Sequence, residues 1–220
     1  MGNEGRKPLC CVSGGEAEIV EKKSRFIARV RPVGSEEEAL AFIAAVRKQN
    51  RDARHNCYAY ITGDSGENGK YSDDGEPSKT AGLPMLDLMR KRGVVGVCVV
   101  VTRYFGGILL GTGGLVRAYS GAAQAALDAS TFAEMRRGTV MEYRTDYSLY
   151  GKLTRLAEDE GLYVLNQEFE AEASVTLLVP EEKAARVRKA VTEFSAGQLS
   201  AVSERETGFC IVEGKPRLSS

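Results

Sequence analysis

The segment V-V-G-V-C-V-V-V-T-R-Y-F-G-G-I-L-L-G-T-G-G-L-V-R-A-Y, Val94 to Tyr119, decides how the first half of the chain is read. Its opening, Val94–Thr102, is an almost unbroken β-branched run. Such a run, lacking polar alternation, marks a strand covered on both faces. From Leu115 to about Ala129 the pattern turns helical. Ala118, Ala122, Ala125 and Ala126 line one side, small enough for close packing on a sheet, while Arg117, Ser120, Gln124 and Asp128 fall on the other. Between strand and helix lie Gly106, Gly107, Gly111, Thr112, Gly113 and Gly114. A glycine-rich crossover lets backbone N–H groups approach an anion, and the helix start adds partial positive charge. Arg103 just before it and Arg117 one turn into the helix add cations, and Lys79, earlier in the chain, is counted with them as an anion-binding candidate. The segment is no P-loop, because no Lys-Ser/Thr follows the glycines, and no dinucleotide fingerprint, because Val116 occupies the third glycine's place. Two readings stand: an anion or nucleic-acid backbone site, or a crossover whose glycines serve positive φ and close packing alone.

Working back from this segment, Ala17–Glu21 and Arg25–Val33 read as short strands. In the second, Phe26, Ala28 and Val30 alternate with Arg25, Arg29 and Arg31, giving one apolar and one cationic face. Ser35 caps a helix that carries Glu36, Glu37 and Glu38 in its first turn and runs to about Gln49. His55–Thr62 is a strand with His55, Cys57, Ala59 and Ile61 on one face. Gly63–Ala81 has no period and reads as one long loop, a kind that is usually functional. A helix follows from about Pro84 to Arg92. Residues 1–13 carry no periodicity and read as a flexible tail.

The long loop ends in S-D-D-G-E-P-S-K-T-A-G, Ser72 to Gly82. Asp73, Asp74 and Glu76 place three carboxylates within four residues. Hard cations take such oxygens. Turn carboxylates more commonly cap backbone amides, and here Arg103 and Lys79 are also available as ion-pair partners. His55 opens the neighbouring strand and is expected to hydrogen-bond this acidic turn. A His55–Cys57 catalytic pair is disfavoured, because residues two apart on a strand lie about 7 Å apart. Cys57 reads as a small core residue.

Beyond Ala129, residues 133–138 look like a linker and the pattern restarts. Val140–Leu149 is a strand, Leu153–Glu160 a helix, Leu162–Phe169 and Ala173–Val179 strands, Pro180–Phe194 a helix, and Gln198–Val212 one strand or two. The order β-α-β-β-α-β is that of a ferredoxin-like split. The expected organisation is therefore α+β in two domains, 14–134 and 135–220, after the tail.

Composition narrows the function classes. Thirty basic and thirty acidic side chains give zero net charge, so any nucleic-acid contact must come from a local patch. No apolar run reaches membrane-span length, and Arg6 and Lys7 are not followed by a signal-peptide core. Five cysteines without a C-x-x-C fit a reduced compartment, and a cytoplasmic location is expected. No metal set and no cofactor fingerprint stands out.

Four stretches together carry a resemblance: H-N-C-Y-A-Y (55–60), S-D-D-G-E-P-S-K-T-A-G (72–82), V-V-V-T-R-Y-F-G-G (99–107) and L-G-T-G-G-L-V-R-A-Y (110–119). They resemble the Impact family, in the two-domain form of its bacterial, YigZ-type members. The resemblance covers about residues 16–130 strongly. It implies a first domain like domain 2 of ribosomal protein S5, and a ferredoxin-like second domain like the last domain of elongation factor G. It further implies a non-enzymatic protein that binds RNA or the ribosome and modulates translation, with a translation-control protein as a further partner class. The alternatives are a phosphate- or nucleotide-binding enzyme of the S5 domain-2-like superfamily, in which Asp73, Asp74 and Glu76 would hold Mg²⁺, and a protein-interaction module. The family motif has Gly where this chain has Lys79, a place where positive φ would strain a lysine.

Overall fold

The computed structural model describes residues 7–63, 66 and 68–219. The chain divides into two compact α+β units, residues 1–135 with 219–220, and 136–218.

In the first unit, β1 (Leu9–Ser13) precedes β2 (Glu16–Glu21), β3 (Ser24–Pro32), α1 (Glu36–Gln49), β4 (His55–Thr62), β5 (Asn68–Ser72), α2 (Gly82–Arg92), β6 (Val94–Val95), β7 (Val97–Tyr104), α3 (Gly111–Asp128) and β8 (Thr131–Glu134). The main sheet has the order β2-β3-β7-β4-β5. Strand β7 lies at its centre, antiparallel to both β3 and β4. Its valines are buried on both faces, as a strand without polar alternation requires. On one face Phe26, Ala28, Val30, Val99 and Val101 meet α2 and α3. On the other, Tyr60, Cys98 and Val100 meet Ile43 and Val46 of α1. Ala118, Ala122 and Ala126 are buried in α3, so this helix approaches the sheet closely, as their small size predicts.

Four expectations for this unit need correction. The stretch 9–13, taken as part of a flexible tail, is β1, held parallel to β6 and antiparallel to β8; residues 1–6 lie outside the described residues. The β-branched run is not one strand. Gly96 takes φ +62 and breaks it, sending Val94–Val95 to the small sheet β6-β1-β8. The segment read as one loop contains β5, paired with β4 from Tyr58↔Ser72 to Thr62↔Asn68; its residues 64, 65 and 67 lie outside the described residues. Finally, α3 starts at Gly111, so Gly111, Gly113 and Gly114 form its first turn instead of preceding it, and only Gly106 and Gly107 stay in the crossover.

The second unit runs β9 (Arg136–Thr145), α4 (Tyr147–Asp159), β10 (Tyr163–Phe169), β11 (Ala173–Pro180), α5 (Glu181–Phe194), β12 (Ser203–Val212) and β13 (Lys215–Leu218). Its sheet order is β10-β11-β9-β12-β13, with every neighbour antiparallel. Setting β13 aside, this resembles the split β-α-β pattern. Residues 133–138 are no linker, since β8 ends at Glu134 and β9 begins at Arg136. Strand β9 stops earlier than expected because the Asp146 carboxylate accepts hydrogen bonds from Ser148 N and Leu149 N, an N-cap that starts α4.

Candidate functional site

The acidic turn is a structural device. The Asp73 carboxylate accepts hydrogen bonds from Lys79 N (2.8 Å), Ala81 N (3.0 Å) and Gly82 N (2.8 Å), and so supplies the cap that Ala81 cannot give α2. The Asp74 carboxylate accepts from Asn56 N at 2.7 Å and pairs with Arg47. His55 Nδ1 lies 2.9 Å from the Asp74 carbonyl oxygen. A carbonyl only accepts, so Nδ1 donates the hydrogen bond. His55 thus anchors the turn, as its place at the strand start suggests. Among the described residues no group of three or more His, Cys, Asp or Glu side chains is placed to hold a metal ion.

Glu76 turns inward. One of its oxygens accepts from Arg103 Nη1 at 2.7 Å and from the Tyr119 hydroxyl at 2.8 Å. Arg103 is also flanked by the rings of Phe26 and Phe105, 5.4 and 5.6 Å from their centroids. Burial is the main cause that pushes the Tyr119 hydroxyl far above its ordinary range, with the Cys57 and Glu76 charges adding to it. Cys57 is raised chiefly by burial too, and its thiol donates to the Asp73 carbonyl oxygen.

Arg103 therefore is not the surface cation expected from the sequence. It forms an internal ion pair because it lies two residues beyond Val101 on β7, hence on the same core-facing side. Arg25 and Arg29 are likewise compensated, by Glu18 and Glu16 of the neighbouring strand, so β3 adds less positive potential than its arginines alone indicate.

The start of α3 is different. Gly111, Thr112 and Gly113 are exposed, the N-cap Leu110 offers no side-chain acceptor, and the first turn holds no acidic residue. The leading amides of the helix thus keep their partial positive charge. Arg117 is exposed and, among the described residues, forms no ion pair. A Cβ placed on Gly113 would lie 3.6 Å from its Nη1, so its guanidinium lies over the first turn. Gly107 and Gly111 take φ +85 and +72. Gly106 packs against the backbone of Lys23, where a Cβ would come within 2.0 Å. This brings the exposed Lys22–Lys23 turn alongside the 105–110 loop.

Beside the helix start lies a cleft of about 450 Å³. Pro77, Phe105, Leu109, Leu110 and Leu115 supply its apolar lining. Arg54, His55, the Glu76–Arg103 pair, Gly111 and Thr112 supply the polar one. Lys79 is exposed at the far end of the acidic turn and does not line the cleft, nor do Gly106, Gly107, Gly113, Gly114 and Arg117. Sequence reading missed Arg54, Phe105, Leu109 and Tyr119. Tyr119 alone had a signal, lying one turn beyond Leu115 on the alanine face.

The matches to known proteins fall on the same two units. The Impact N-terminal domain model matches residues 22–127, and a domain of unknown function (DUF1949) matches residues 144–198. The Bacillus subtilis IMPACT family member YvyE is 40% identical over 201 residues, covering 89% of each chain. The chain belongs to the IMPACT family. The Escherichia coli IMPACT family member YigZ is 38% identical over 84% of this chain and 92% of its own. A crystal structure described as that of a hypothetical protein shares 33% identity, covers 94% of this chain and 98% of its own, and superimposes with a TM-score of 0.64. In this IMPACT family chain the motif-bearing stretches 72–82, 99–107 and 110–119 all converge on the cleft and the network beneath it.

Proposed function

We propose that this protein binds RNA or the ribosome, without catalysing a reaction, and thereby modulates translation. The observation that carries the reading is the open start of α3. Uncapped amides, unpaired Arg117 and the neighbouring Lys22, Lys23 and Arg54 make a local positive patch on a chain of zero net charge. Phosphate backbones are the polyanions such a patch suits. The S5 domain 2-like and elongation factor G-like folds that the family resemblance implies support the same reading by analogy. Against the Mg²⁺-dependent alternative, Asp73, Asp74 and Glu76 each already accept hydrogen bonds from protein donors.

Co-sedimentation with ribosomes and filter binding to RNA at two salt concentrations test the proposal. Arg117→Glu should weaken binding at least tenfold at low salt, alike for all sequences, and wild-type affinity should fall steeply as salt rises. Absence of RNA and ribosome binding at low salt overturns it.

A protein partner in translation control is the second reading, favoured by the exposed Phe105, Ile108 and Leu109, the last 82% exposed. Pull-down that persists after nuclease treatment would favour it.

A further inference from the structure

We propose that the cleft beside α3 seats a single nucleotide of a single-stranded RNA, with phosphate against the first-turn amides and the base against Phe105. This rests on the RNA-binding reading above and sharpens it. Backbone attraction alone needs only a surface. Here there is a concavity of about 450 Å³, within the range of small-ligand sites.

Its chemistry is two-sided. Phe105, 49% exposed, and Leu109 offer a flat apolar wall of the kind on which unpaired bases stack. The same cleft is lined by Gly111 and Thr112 at the open helix start, together with Arg54 and His55. His55 Nε2 is left to meet a base or ribose, since Nδ1 is used by the Asp74 carbonyl.

An independent observation points the same way. Arg103 lines the cleft while 93% buried, and its Nε is the one buried side-chain nitrogen or oxygen among the described residues with no hydrogen-bond partner. Buried donors are almost always paired. Glu76 offsets the Arg103 charge but leaves this donor unused. That nitrogen is itself closed to solvent, so a ligand in the cleft supplies its acceptor only if the Phe105 ring stacked on the guanidinium moves aside.

Duplex RNA keeps its bases stacked inward and its phosphates on a rigid exterior. Only a splayed base can enter a concavity of this size.

The test uses the full chain. AMP, UMP, ribose 5-phosphate and inorganic phosphate are titrated by amide chemical shifts, and a ten-nucleotide single strand and its duplex by fluorescence anisotropy. AMP should bind at least tenfold more tightly than ribose 5-phosphate, with the largest shifts at Phe105 and Gly111–Gly114. The single strand should bind at least tenfold more tightly than the duplex. Phe105→Ala should weaken strand and AMP about tenfold. Leu109→Ser, at a position 82% exposed, provides a second wall variant that leaves the Arg103 stacking intact.

Equal binding of AMP and ribose 5-phosphate, equal binding of strand and duplex, or strand affinity unchanged within twofold in both variants overturns the inference while RNA binding itself stands. A wild-type chain that binds no RNA overturns the RNA-binding reading as well.

Discussion

Arg103 and Glu76 form an ion pair at 2.7 Å with side chains only 7% and 4% exposed, at the junction of the central strand and the acidic turn. Removing one member leaves the other charged and buried, which costs about 3–5 kcal/mol. Arg103→Met and Glu76→Gln should therefore each lower the denaturant midpoint strongly. The double variant should be destabilised by clearly less than the sum of the two. Additive losses measured by chemical denaturation would show that the pair is not coupled. Binding assays on Arg103 variants must be read against this, since loss of fold and loss of phosphate contact look alike there.

Asp73 is a cap borrowed from another segment. Asp73→Ala strips acceptors from three backbone N–H groups at once and should cost about 2 kcal/mol, the upper end for a lost helix cap. Thermal denaturation with and without millimolar Mg²⁺ checks both roles. The wild-type midpoint should not move with Mg²⁺, and a rise of several degrees would restore the metal reading.

Lys79 stands at φ +63, in the region that favours glycine. The family resemblance implies that glycine is usual there, and the backbone here keeps the shape glycine would give. Lys79→Gly should stabilise the chain by about 0.5–1 kcal/mol, the relief of strain exceeding the added entropy of the unfolded glycine. Equilibrium denaturation checks the sign.

Asp146 titrates with its helix. The Leu149 N–H, followed by the Ser148 hydroxyl, holds its carboxyl below the ordinary carboxylate range. A depressed folded-state pKa gives stability that is complete above the unfolded value and lost as pH falls through the folded one. Protection factors for the Ser148 and Leu149 amides should drop across that acidic window in the wild type. In Asp146→Asn, which keeps a capping oxygen but cannot titrate, they should stay flat.

Alternation and composition made the frame readable. Phe26, Ala28 and Val30 announced the core face of β3, and the alanines of α3 announced close packing. Elements without local pattern stayed hidden. Asn68–Ser72 contains no β-branched residue and is a strand only because β4 offers it hydrogen bonds. Gly96 interrupts a valine run without changing its character, so the split between β6 and β7 leaves no periodic trace. Arg103 is a different case. Counting by twos from Val99 and Val101 places it inside, but its charge and its closeness to the glycines drew it to the surface reading. The amides of α3 were visible as a glycine cluster. The cleft was not, since Arg54, Pro77 and Phe105 meet there only through the fold.

Strand β1 has a consequence for the order of events during synthesis. Cys10 pairs with Val95 on one side and with Ala133 on the other, so the small sheet cannot close until more than 120 further residues have been made. Contacts this distant in sequence slow folding and prolong the life of half-built forms. While the ribosome is still adding α3, the first unit has no partner for one edge of its earliest strand. A nascent chain stalled before Thr131 should accordingly be cut by protease within residues 9–13, and one released after Met135 should resist.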